Sequence, residues 1–164
     1  MTLTSARPRD PFIGGFFDDA GLDFETRGVL GHAVYGAAEP GEVLAALAVV
    51  ADGDHDAWAQ AWRTLGGRVL ADADAQLAAG HRVSACGSYL RAATYLGQAT
   101  NALVGAGRDD ELLSSFRDHR RAWEAYLASA PLVAEAVQIP YEGTTLPGYL
   151  VRPVGDVVAR GGRG

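Results

Sequence analysis

Apolar residues recur at helical spacing from about residue 16 to residue 131, then change to a strand pattern. Phe24, Gly28, Gly31 and Tyr35 mark one face of a first helical unit, which Pro40-Gly41 ends. Glycine costs about 1 kcal/mol against alanine inside a helix, so this face is expected to meet a neighbouring helix closely. A short helix is predicted over 42–51. Asp54 then suits the N-cap of a long helix reaching about Ala79, with the stripe Trp58, Trp62, Leu65, Val69, Ala73 and Leu77. Gly80 is placed to stop it. The next helix, 83–104, carries apolar residues on more than one side and reads as central and doubly packed. A last helix over 109–129 closes at Pro131.

Beyond it, Val133 to Ile139 and Leu146 to Val151 are apolar runs flanking Glu142-Gly143. That arrangement predicts a β-hairpin. Two strands are too few to be stable alone, so the hairpin is expected to open a sheet that this chain does not contain. After Pro153 the pattern fails, and the Gly- and Arg-rich residues 154–164 have no capacity to form a core. A truncated or frame-shifted product is the expectation.

Composition narrows the picture. At 164 residues, one domain plus a fragment is the natural division. This gives a mobile segment 1–15, a helical domain 16–131, two strands of an incomplete domain 132–153, and a disordered tail. The net charge of −6 argues against nucleic acid, whose phosphates call for a basic surface. All 14 basic residues are arginine, which suggests a high-GC bacterial genome. No apolar run approaches the ~20 residues needed to span a bilayer, and no signal peptide is read at the N-terminus. A cytoplasmic location follows by default. The lone Cys86 excludes an intramolecular disulfide and reads as a buried, inert thiol.

The C-terminal run Ile139-Pro140-Tyr141-Glu142-Gly143, with Leu146-Pro147-Gly148-Tyr149-Leu150-Val151 and Pro153, resembles the entry strands of the α/β-hydrolase domain. The likeness is to the esterase and acylaminoacyl-peptidase-like branch that includes 2,6-dihydroxypseudooxynicotine hydrolase and the fermentation-respiration switch esterases. Upstream, Phe24-Glu25-Thr26, Gly41-Glu42-Val43, Gly53-Asp54, Gly80-His81 and Tyr89-Leu90-Arg91-Ala92-Ala93 with Tyr95 resemble that branch's N-terminal helical domain. The resemblance implies a helical cap that packs over a catalytic domain and shapes its pocket. It implies ester, amide or carbon-carbon hydrolysis by a Ser-His-Asp triad. The triad is missing here. The nucleophile of such enzymes sits on G-x-S-x-G. The nearest approach is Cys86-Gly87-Ser88-Tyr89, which lacks the second glycine and falls in a helical pattern.

The remaining chemistry-bearing residues read mostly as structure. His32, His55, His81 and His119 lie on four separate segments with no metal-ligand spacing. Asp52-Gly53-Asp54 lacks the rest of a calcium loop. No metal and no cofactor is implied. Trp58 and Trp62 read first as core and second as an aromatic wall over a substrate cleft. Arg91 is expected to pair with a carboxylate that the sequence does not name, or to reach a domain interface. Tyr35, Trp58 and Arg91 are the candidates for lining a substrate pocket; no catalytic residue is assigned.

The fold expected is mainly α, about five helices followed by a C-terminal hairpin. The function expected is that of the helical or cap portion of an α/β serine hydrolase, itself inactive. It would pack on a catalytic domain or on a second copy of itself. The competing reading is a stand-alone helical interaction module. Trp62, Leu65 and Gly66 fit the opening of a tetratricopeptide repeat, but no second copy follows at that repeat's roughly 34-residue offset.

Overall fold

The computed structural model describes residues 15–152. Five α-helices and a short 3-10 turn precede two antiparallel strands, the mainly α architecture with a terminal hairpin that the pattern predicts. The expected N-terminal segment, apart from Gly15, and the expected Gly/Arg tail lie outside the described residues.

Helix α1 (Ala20–Gly31) begins at Asp19, whose carboxylate accepts the N–H groups of Gly21 and Leu22. It runs into the 3-10 turn His32–Tyr35. Its packed face is Leu22, Thr26 and Val29, not the predicted Phe24, Gly28, Gly31 and Tyr35. Phe24 and Tyr35 are 77% and 78% exposed, and a Cβ on Gly28 or Gly31 would meet nothing within 4 Å. Both stripes have helical spacing, but α1 ends at Gly31 and Tyr35 falls in the 3-10 turn beyond it. Thr26 joins the packed face because its hydroxyl bonds the Leu22 carbonyl at 2.7 Å, which removes the cost of burying a polar group.

Helix α2 (Pro40–Leu47) starts two residues earlier than predicted and ends sooner. Pro40 suits the first turn, where its missing N–H costs nothing. The Glu39 carboxylate accepts the Glu42 N–H at 2.6 Å. That bond and the Gly41 N–H hold its pKa below the ordinary range.

Helix α3 (His55–Ala78) starts at Asp54, whose carboxylate accepts the Ala57 N–H at 2.9 Å. Gly80 ends the turn after it with φ +84°, a conformation glycine adopts without strain. The predicted stripe is buried from Trp58 to Ala73; Leu77 is exposed. Helix α4 (Arg82–Gly105) lies between α3 and α5 (Asp109–Ser129) and is buried on several sides, as predicted for a central helix. Phe17, Trp58, Trp62 and Tyr95 form a continuous run of rings through the core, with centroid separations of 5.4, 5.4 and 5.9 Å. On α5, Ser115, Ala122 and Ser129 are the buried positions, while Leu113 and Phe116 are exposed.

Strands β1 (Val133–Tyr141) and β2 (Thr144–Arg152) pair in register from Val133 opposite Arg152 to Tyr141 opposite Thr144. Glu142 and Gly143 form the two-residue turn with φ of 41° and 81°. Positive φ at both positions is the I′ geometry whose twist matches that of the strands. Opposed residues share a face, so Val133, Val137, Ile139, Tyr141, Leu146 and Leu150 lie together on one side. Ala134, Ala136, Pro147, Tyr149 and Val151 lie on the other. Tyr149 and both alanines border recesses shared with α5, so the second face is the one turned toward the helices. The first points away from them, and apart from half-buried Val137 its six apolar residues are exposed.

Candidate functional site

The most developed polar arrangement joins α2 to α4. Tyr95 Oη donates to Glu42 Oε2 at 2.9 Å and accepts the Glu39 N–H at 2.8 Å. Arg91 Nε donates to the same Glu42 oxygen at 3.2 Å. Glu42 is therefore the carboxylate partner that Arg91 called for. Burial, with the Glu42 carboxylate alongside, pushes the Tyr95 phenol far above its ordinary pKa, so it is a fixed donor.

Arg91 also donates to Ser88 Oγ at 3.3 Å, and Ser88 donates to Gln76 Oε1 at 2.9 Å. Neither a carboxamide nor a guanidinium can take a proton from a serine. Ser88 is buried and lies within α4, where Cys86-Gly87-Ser88-Tyr89 forms no strand-to-helix elbow. This hydroxyl is a structural group. A second cluster lies on the α4–α5 side. Tyr89 Oη donates to Asp74 at 2.8 Å and Arg121 donates to the same carboxylate at 2.6 Å. Partial burial raises the Asp74 pKa, but these two bonds outweigh it and leave the carboxyl below its ordinary range.

Glu42 also lines an open groove of about 570 Å³ between α2 and α3. Its walls are Ala45, Ala46, Val49, Val50, Ala57, Ala61 and Leu65, with Gln60, Thr64 and Arg68 at hand. The groove is concave and mostly apolar with a few polar groups, the usual character of a small-molecule site.

The three residues singled out from sequence fall in different settings. Trp58 is 1% exposed, edge-on to Phe17 and Trp62, and belongs to the core. Tyr35 is exposed at the end of the 3-10 turn. Arg91 is half-buried on Glu42. Sequence reasoning missed Glu42, Ser88 and Tyr95 as a unit. The available signal was polar groups on the otherwise apolar faces of the central helix, where each needs a partner.

The histidines stay apart. His32 and His81 are exposed, His55 Nε2 lies 3.6 Å from Asp19, and His119 Nδ1 lies 2.9 Å from the Ala93 carbonyl. Among the described residues no group of three His, Cys, Asp or Glu could hold a metal ion. Burial pushes the Cys86 thiol up, away from the reactive thiolate. No described helix is long and apolar enough to cross a membrane.

No family model matches the chain. Proteins named as hydrolases do. Hydrolase LUC6 of a Fusarium species is 36% identical over 138 residues, 84% of this chain and 33% of that protein. Hydrolase ORFZ of Pyricularia oryzae is 35% identical over 145 residues, 86% of this chain and 34% of its own length. Alpha/beta hydrolase psoB of Aspergillus fumigatus is 35% identical over 144 residues, 86% of this chain and 32% of its own. The chain spans about a third of the length of these relatives. It is thus related in sequence to α/β-hydrolase-named proteins. All three relatives are fungal, so they lend no support to the bacterial origin that the arginine bias suggested.

Proposed function

We propose that this chain is the helical cap portion of an α/β serine hydrolase, joined to the first two strands of the catalytic sheet and not itself catalytic. The observation that carries the reading is the hairpin. Its face turned away from the helices carries six apolar side chains, five of them about half exposed and Val137 half-buried, a surface suited to burial under further sheet and helix layers. Relatives about three times as long, named as hydrolases, supply the sequence context for such layers. The only serine in the nearest approach to a nucleophile motif is locked between a guanidinium and a carboxamide.

In this role the cap binds and positions, and the bond-breaking groups come from the catalytic domain. The apolar α2–α3 groove, which Glu42 of the Glu42–Arg91–Tyr95 cluster borders, would hold the body of an apolar substrate. Arg91 and Tyr35 remain the candidates to face the reacting domain. The reaction class is ester, amide or carbon-carbon hydrolysis.

The test is a chimera. This chain replaces the matching segment of the Fusarium relative, and hydrolysis is measured on a panel of esters differing in acyl bulk. A folded enzyme with altered selectivity is expected. A chimera that folds and works with unchanged selectivity would remove the pocket-shaping role. Turnover by the isolated 164-residue chain would remove the non-catalytic assignment.

A further inference from the structure

The hairpin does not lie flat on the helices. Tyr149 on β2 is its point of support. The Tyr149 ring sits edge-on to Trp123 of α5, with centroids 6.4 Å apart at 68°. Its hydroxyl donates to Glu124 Oε1 at 3.3 Å. Among the described residues, this is the side-chain hydrogen bond that ties hairpin to helices.

Open space lies on both sides of that ring. One recess of about 380 Å³ has Phe116, His119 and Pro147 among its walls, and Tyr149 borders it. Another of about 230 Å³ has Leu127, Ala134 and Ala136 among its walls, and Tyr149 borders it too. A sheet resting on one ring between two recesses can rock, because little packed area opposes rotation.

The chain between the two bodies localises the motion. Arg82 donates to the carbonyls of Ser129 at 3.2 Å and Ala128 at 2.9 Å, which clamps the last turn of α5. Ala130 then turns extended, with φ −71° and ψ 151°, and Pro131 and Leu132 lead into β1. The connection between α5 and β1 is therefore about three residues long, 130–132, directly after the clamp.

We infer that Tyr149 is a positioning residue: with Trp123 and Glu124 it latches a hinge at 130–132 and sets the angle between the helical unit and the sheet. Glu124 is held in place by Arg120, which donates to it at 2.8 Å. The Arg120 guanidinium and the Tyr149 hydroxyl keep its carboxyl below the ordinary range, so the acceptor is charged at neutral pH. In a full hydrolase this angle would govern how far the cap stands over the catalytic face. That last clause rests on the reading above; the latch itself does not.

Residual dipolar couplings of the 164-residue chain, recorded at a dilution where light scattering gives the monomer mass for parent and variants alike, test it, because they report relative orientation rather than stability. In the parent, couplings from α3–α5 and from the strands should fit one alignment frame. Tyr149→Ala and, from the helix side, Trp123→Leu should each break that single-frame fit, with the hairpin's alignment falling below that of the helices. Tyr149→Phe keeps the ring and loses the bond, so its fit should lie between the two. Leu150→Ala, on the opposite face of the same strand, should leave one frame. Strand chemical shifts confirm that each variant keeps its hairpin. A parent that already needs two frames overturns the latch. So does a single frame surviving both Tyr149→Ala and Trp123→Leu, or a Leu150→Ala effect equal to theirs. Failure here leaves the chimera result standing, and failure of the chimera leaves these couplings unchanged.

Discussion

Gly66 of α3 lies directly against Leu96 of α4. A Cβ on Gly66 would come within 2.7 Å of Leu96 Cγ and 3.1 Å of the Leu96 backbone nitrogen. The backbone contact cannot be relieved by a rotamer change, so any side chain at 66 forces Leu96 or the helices to shift. Next to it, a Cβ on Gly67 would meet nothing within 4 Å. Adjacent glycines thus have opposite roles on one helix.

Gly66→Ala should destabilise the protein by about 1–3 kcal/mol through overpacking. Gly67→Ala should stabilise it by up to about 1 kcal/mol, since an exposed helical glycine is replaced by the best helix former. Urea denaturation of both variants checks the pair. Equal shifts of the same sign would show that the close approach at Gly66 is not what sets the cost.

Trp62 is fully buried between Trp58 and Tyr95. Trp62→Ala should lose about 3–5 kcal/mol, the range for buried large aromatics. That is a large share of the stability of a domain this size. The expected result is a sharply lowered midpoint or an unfolded chain by circular dichroism. A melt like the parent's would show that the ring run does not carry the core.

Most of the element order was legible because long stripes such as Trp58 to Ala73 repeat at three and four residues and end at marked caps, Asp54 and Gly80. The hairpin was legible from its turn residues. The orientation of α1 was not. Leu22-Thr26-Val29 and Phe24-Gly28-Gly31 have similar spacing, and only the tertiary structure shows which one is buried in the core. The Glu42–Arg91–Tyr95 cluster was illegible for a related reason. Glu42 lies 49 residues from Arg91 and 53 from Tyr95, and a hydrogen-bond partner across helices leaves no trace in spacing.

Acid should weaken the fold. Arg27 holds the Asp23 carboxyl below its ordinary range, backbone N–H groups do so for Glu39, and Arg120 does so for Glu124. At Asp74, partial burial opposes the lowering and the bonds from Arg121 and Tyr89 overcome it. A carboxyl whose folded pKa is depressed stabilises the fold above its unfolded value, about 3.9–4.3. That contribution is lost as pH falls through the lower folded value. Stability should therefore hold near neutrality and decline below about pH 4. Asp74→Asn should flatten that acid limb in a series of urea melts; an unchanged limb would show that Asp74 is not among the groups responsible.

The outward face of the hairpin should drive self-association. Ile139, Leu146 and Leu150 are each about half exposed on one side of a two-stranded sheet with open edges, which is a template for further pairing. Light scattering should give a mass that rises with concentration, and removing residues 132–164 should abolish the rise. Ile139→Lys with Leu146→Lys should act the same way without shortening the chain. A monomer at high concentration with the parent face intact would count against this.

The isolated chain should hydrolyse no p-nitrophenyl ester above background. Acyl transfer needs a nucleophile whose proton a base can take, and a group to hold the developing oxyanion. Ser88 is 3% exposed, donates to Gln76 and accepts from Arg91, so its hydroxyl has neither access nor base. His119 lies against the Ala93 carbonyl, and His55 lies beside the Asp19 carboxylate. Ser88→Ala should leave the background rate unchanged and lower stability through the lost bonds to Gln76 and Arg91, about 1 kcal/mol each. Turnover that copurifies with the chain, disappears in Ser88→Ala and is blocked by a serine-directed phosphonate would place a nucleophile on α4 and overturn the non-catalytic reading of the cap.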